Sequence, residues 1–184
     1  MLWNRKGIEE PVDCATREDF CRLFEADMKP LYLLAFLLTA NHAQAEKCFV
    51  AGIDDAARGN TVFKHWARSW ARRAVIKNAI RAVAPASQSL QGRRGLWDGT
   101  EESSAALAIN TIAQLEPLPR FVLVMSVLER YSNRECSLLL GCTTGDVVEA
   151  RNCALRKLAA ITSPTAVSPA INPLFEPFPQ PMMA

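Results

Sequence analysis

The chain has 184 residues, 49% of them apolar and 22% charged, with a net charge of +2, which gives room for one medium domain or two small ones. No apolar run approaches the ~18 residues of a membrane span, the opening MLWNRKGIEEP has no signal-peptide core, and the six cysteines form no C-x-x-C pair. From these features no membrane span, no secretory leader and no zinc site are expected, and a reducing, cytoplasmic location is the expectation.

Leu, Ala and Val are plentiful, Gly is sparse, and only short stretches alternate, so the expected class is all-α. Residues 1–15 read as an N-terminal arm. Thr16 caps a helix with Glu18 and Asp19 in its first turn, where acids suit the helix dipole. Phe20, Leu23 and Phe24 line its inner face. Pro30 is tolerated only in a first turn, so it starts a second helix. That helix, LYLLAFLLT, is apolar almost all round and should lie at the centre of a bundle. A third begins near Ala43 and turns Ala45, Cys48, Phe49 and Ile53 inward. Adjacent Asp54 and Asp55 point apart on a helix and suit a solvated helix end. A Gly-Asn turn follows.

The fourth helix is expected from Val62 to Val83, stopped by Pro85. Positive charge concentrates here: residues 61–100 hold 8 basic groups and 1 acid. Lys64, Arg68 and Arg72 repeat at i, i+4 and i+8, and Arg73, Lys77 and Arg81 form an adjoining row. No acid lies between Ala56 and Trp97, so these like charges repel unless phosphate or another anion meets them. Trp66 and Trp70 stand one turn apart beside them. They suit unstacked bases, although aromatic stripes at helical spacing usually belong to a core.

Residues 84–103 lose helical period and read as a flexible linker. Helix resumes at Ser104 with Leu107, Ile109, Ile112 and Leu115, and again from Phe121 to Arg130 with Phe121, Val122, Met125 and Leu128 inward. Then come two helices and a turn. Ser132 and Glu135 make a capping box, and Cys136, Leu139 and Leu140 share a face. Gly141 ends the first helix, and Thr143 opens the second, with Val147, Ala150, Ala154, Leu155 and Leu158 inward. Gly145, Glu149, Asn152, Cys153 and Arg156 face out. This spacing is that of a helix-turn-helix, or of a hairpin that merely packs. The tail from 162 holds 6 of the 11 prolines and reads as extended chain.

Together these segments, and above all LEPLPRFVLVMSVLERYSNRECSLLLGCTTGDVVEARNCALRKLA and FEADMKPLYLLAFLLTANHAQAE, resemble the small two-domain RNA polymerase sigma factors of the extracytoplasmic-function type. The resemblance implies two small helical bundles joined by a linker: 16–83 like the polymerase-gripping domain, and 104–161 like the helix-turn-helix domain that reads the −35 element. It implies promoter DNA, core RNA polymerase and an anti-sigma or other regulatory protein as partners, and transcription initiation as the function. The residues expected at DNA are Thr144, Glu149, Asn152, Arg156 and Lys157 on the last helix, with Lys64, Arg68, Trp70, Arg72, Arg73, Lys77 and Arg81 on the fourth. Ala45, Glu46, Phe49 and Val50 are expected at polymerase. Lys47 and Val50 stand where the family has an acid and a Gln, and Val148, Ala150 and Cys153 where it has basic residues. The alternative is therefore a degenerate sigma-like module that binds a regulator or polymerase without reading bases. No catalytic set or glycine-rich phosphate loop is visible, so no enzyme, cofactor, metal or small-molecule substrate is expected.

Overall fold

The computed structural model describes residues 14–58, 62–85 and 104–162. Within them run α1 (Arg17–Ala26), α2 (Met28–Thr39), α3 (His42–Arg58), α4 (Ala67–Val83), α5 (Ser104–Ala113), α6 (Pro117–Leu123), α7 (Asn133–Leu140) and α8 (Thr144–Thr162). A 3₁₀ turn, Lys64–Trp66, leads into α4, and a π-helical turn, Val124–Leu128, continues α6. The class is all-α; the one extended pairing among the described residues is a single antiparallel bridge between Cys14 and Phe63. Most of the expected arm, the Gly-Asn turn, nearly all of the linker and the Pro-rich tail beyond Thr162 lie outside the described residues.

Local chemistry sets the helix ends. Thr16, Ser132 and Thr143 each accept the backbone N–H three residues on with their hydroxyl, while Asp19, Glu135 and Asp146 accept the cap's own N–H at 2.9, 2.8 and 2.8 Å. These are reciprocal caps that satisfy two orphan donors each. Gly141 closes α7 at φ 69°, a conformation that costs a residue without Cβ little. The fourth helix starts later than its sequence periodicity suggests. Val62 is buried and its carbonyl accepts the Ala15 N–H at 2.6 Å, and Phe63 beside it is extended and bridges Cys14, so helical geometry begins only beyond them.

Helix α2 is the centre of the molecule. Seven of its residues, Leu31, Leu34, Ala35, Phe36, Leu37, Leu38 and Thr39, are buried. Its apolar surface is covered by α1, α3 and α4 on one side and by α5, α6 and the π turn on another. One hydrophobic cluster therefore runs from Phe20 through α2 and α4 to Phe121, Val147 and Ala150, so the N- and C-terminal halves share a core. Gly52 lets α3 approach α4 closely, since a Cβ there would stand 3.0 Å from Val75 Cγ2.

Arg120 fastens the halves together. It is 3% exposed, and its guanidinium donates to the Leu38 carbonyl at 3.0 Å, to Leu115 at 2.8 Å and to Ala113 at 3.4 Å. A planar fork can hold carbonyls from α2, α5 and the turn after α5 together in a way an ammonium cannot. The π turn nearby shifts the register. Its extra residue per turn rotates later side chains, so Leu128, placed inward by helical spacing, is half exposed instead. Leu107 and Leu155 also lie exposed, at the margins of α5 and α8 rather than in the core.

Replacing Arg120 should destabilise the fold by about 3 kcal/mol, because buried carbonyls lose their donors. Chemical denaturation of Arg120→Met and Arg120→Lys should show both well below the parent, with Lys giving little rescue.

Candidate nucleic-acid interface

The basic rows of α4 are compensated in space by acids distant in sequence, which corrects the expectation of uncompensated charge. Lys64 lies 3.9 Å from Asp19, Arg68 2.7 Å from Asp27, and Arg81 2.9 Å from Asp55. Arg72 engages Glu129 through both carboxylate oxygens, its Nε at 2.7 Å and a terminal nitrogen closer still. Asp55 also accepts from Asn78 at 3.0 Å. These contacts, Asn78 foremost and then Arg81, hold its carboxyl below the usual range, so Asp55 is an α3–α4 tie rather than a free helix end. Arg73 and Lys77 have no carboxylate within ion-pair reach among the described residues. Lys77 stands 6.0 Å above the Trp70 ring, the outer limit of a cation–π contact.

The two indoles divide. Trp70 is half-buried against the core, whereas Trp66 is 58% exposed and stacks edgewise on Phe63 and His65. Between α4 and the segment preceding α7 lies an open groove of about 590 Å³. Its walls include Trp66, Trp70, Arg73, Arg130 and Tyr131, with Arg72 and Glu129 at one side. Arg130 has a left-handed backbone, φ 59°, uncommon for a residue with a Cβ. Aromatic faces, cations and a concave opening together suit a chain of bases and phosphates.

Helix α8 offers a second surface. Val147, Ala150 and Ala154 bury its inner face, the last against Leu115 and Leu123. Arg151 donates to Asn133 Oδ1 at 3.0 Å and ties α8 to α7. Thr144, Glu149, Asn152, Arg156 and Lys157 are all exposed. Asn and Arg have the donors to read adenine and guanine edges or to bind phosphate, while Glu149 repels phosphate.

On α3 the expected polymerase face is reduced. Ala45 is completely buried and has no surface to offer, because it faces the core shared with α2. Phe49 is half-buried, with its ring edge-on to Phe24 at 5.5 Å. Glu46 and Val50 remain exposed. Cys48 and Cys136 are core residues whose thiols burial pushes up to about 11, so they stay protonated and unreactive. No cluster of metal-ligating side chains occurs among the described residues, and no helix there is long and apolar enough to cross a membrane.

Glu129, Asp27 and Arg130 were not singled out by sequence reasoning. Glu129 sits 57 residues from its partner, and nothing in the periodicity of either segment joins them. No protein-family model matches the chain, and comparison with curated proteins finds no significant relative.

The caps that aim α7 and α8 are acid-sensitive. The Ser132 backbone N–H, then its hydroxyl, holds Glu135 below its ordinary 4.5, and Thr143 holds Asp146 below 3.8 in the same order. Folded values lower than unfolded ones mean the stabilisation is whole above those ordinary values and fades as pH falls through the folded ones. Thermal melting from pH 6 downward should lose stability over this range, and Glu135→Gln with Asp146→Asn should flatten that part of the curve.

Proposed function

We propose that this chain is a sigma-factor-like DNA-binding protein that directs or modulates RNA polymerase at promoters. The observation that carries the reading is the outer face of α8. Asn152, Arg156 and Lys157 project from a helix whose opposite side is anchored in the core, and none of the three has an intramolecular polar partner among the described residues. A short capped helix and a glycine turn precede it, the arrangement that presents a helix to a major groove. Arg73, Lys77 and Trp66 on the α4 side supply phosphate and base contacts of lower specificity. Exposed Glu46 and Val50 on α3 are the residues offered to polymerase, and an anti-sigma or other regulatory protein is the further partner. Cytoplasmic location accords with this role.

A second reading, a sigma-like module that binds a protein regulator or polymerase without reading bases, draws support from one specific observation. Four of the six basic residues of the α4 rows already hold carboxylates of the same chain.

Two measurements separate them. Run-off transcription with core polymerase should depend on the protein if the first reading holds; no stimulation on a pool of genomic fragments refutes it. In DNA binding at low salt, Arg73→Ala/Lys77→Ala should weaken all sequences alike and lower the salt slope by about 2. Asn152→Ala/Arg156→Ala should cost about 1–3 kcal/mol per base contact at preferred sites only. Equal loss on every sequence would remove base reading.

A further inference from the structure

We propose that Glu129 is an internal substitute for nucleic-acid phosphate, masking Arg72 so that DNA must displace a carboxylate to reach the centre of the α4 surface. This rests on the DNA-binding reading above and concerns the regulation of that same site.

The four carboxylates on α4 are not equivalent. Those on Lys64, Arg68 and Arg81 come from the N-terminal half, and the cation side chains they hold are 47%, 69% and 65% exposed. Such pairs contribute little and yield readily to a competing anion. Glu129 comes from the C-terminal half; the Arg72 side chain it holds is 34% exposed, its own is 6% exposed, and both of its oxygens meet the Arg72 fork. A bidentate guanidinium–carboxylate contact has the shape and charge of a guanidinium–phosphate contact. The two anions therefore compete for one place.

The backbone is shaped to put that carboxylate there. The Glu129 N–H reaches back five residues to the Val124 carbonyl at 3.0 Å, and the Tyr131 N–H reaches Met125 at 2.9 Å. Between them Arg130 takes the left-handed conformation. A π turn followed by a left-handed residue is a costly local solution, and such features persist where the surroundings over-determine them. Here they place Glu129 beside the same groove that Arg73 and Trp66 line. A phosphate chain following that groove meets a negative charge where the next cation should be. Glu135, also in the groove wall, is engaged by the Ser132 cap and does not reach Arg72 in this way.

The test uses the full chain, a fluorescein-labelled random-sequence duplex and its single strand, titrated across a salt series. Glu129→Gln should bind about tenfold more tightly at low salt, the size of one charge-assisted hydrogen bond. Its salt slope should steepen by about 0.9, one added phosphate. On an Arg72→Ala background, Glu129→Gln should bring no gain; a gain there would overturn the proposal, since the charge would then act without Arg72. If parent and Glu129→Gln bind equally, the mask is refuted and the DNA-binding reading stands. If neither binds, the DNA-binding reading fails and the mask with it. Circular dichroism and melting establish that the variant folds. Should it not, Glu129→Asp breaks the fork while keeping the charge; it should bind DNA more tightly than the parent, and no gain overturns the mask.

Discussion

A helix that is apolar on every side must be covered on every side, and α2 imposes that condition on the rest of the chain. The helices that follow it in sequence, α3 and α4, together with α1, shield only part of its circumference. The remainder, ending at Leu38, is closed by α5, α6 and the π turn. Exposing a surface of several Leu and Phe side chains to water costs about 1.5–3 kcal/mol for each. That cost draws the two halves into a shared core. Arg120 then fixes the angle of approach through the carbonyl of Leu38, an acceptor at the end of α2 that has no intrahelical donor.

That closure decides which cations face water unopposed. By sequence, α4 is a basic helix with no acid near it. In space it is bordered by Asp19 and Asp27 from one end of the N-terminal half, Asp55 from α3 and Glu129 from the other half. Pairing of this kind removes the repulsion that spacing alone implies, but unequally. A solvated pair contributes about 0–1 kcal/mol and is weakened by salt, whereas a sheltered fork with both oxygens engaged is harder to open. Of the α4 rows, Arg73 and Lys77 are left without a carboxylate among the described residues, and Arg156 and Lys157 stand exposed on α8.

The junction after α6 is where local irregularity and a candidate role coincide. The π turn leaves Leu128 in water, Arg130 adopts a left-handed backbone, and Glu129 turns toward α4. None of these would be selected for helix stability alone. Together they form one wall of the groove against which Trp66, Trp70 and Arg73 stand, so the same few residues govern both the docking of the halves and the shape of the surface between them.

Helix positions, caps and class were legible from the residues because each rests on contacts within a few positions. Thr16 with Asp19, Ser132 with Glu135, and the left-handed Gly141 needed no distant partner, and the inward positions Val147, Ala150 and Ala154 followed from period alone. The exposed positions Asn152 and Arg156 were legible for the same reason. What periodicity could not supply was everything that depends on meeting a remote segment. It did not show the late start of α4, where the Val62 carbonyl meets the Ala15 N–H, or the extra residue that turned Leu128 outward. Nor did it show the capture of Arg72 by Glu129. Side-chain spacing along a helix is a local property, set by 3.6 residues per turn, whereas the partner of a charge is set by how whole helices pack, and only the assembled core decides that.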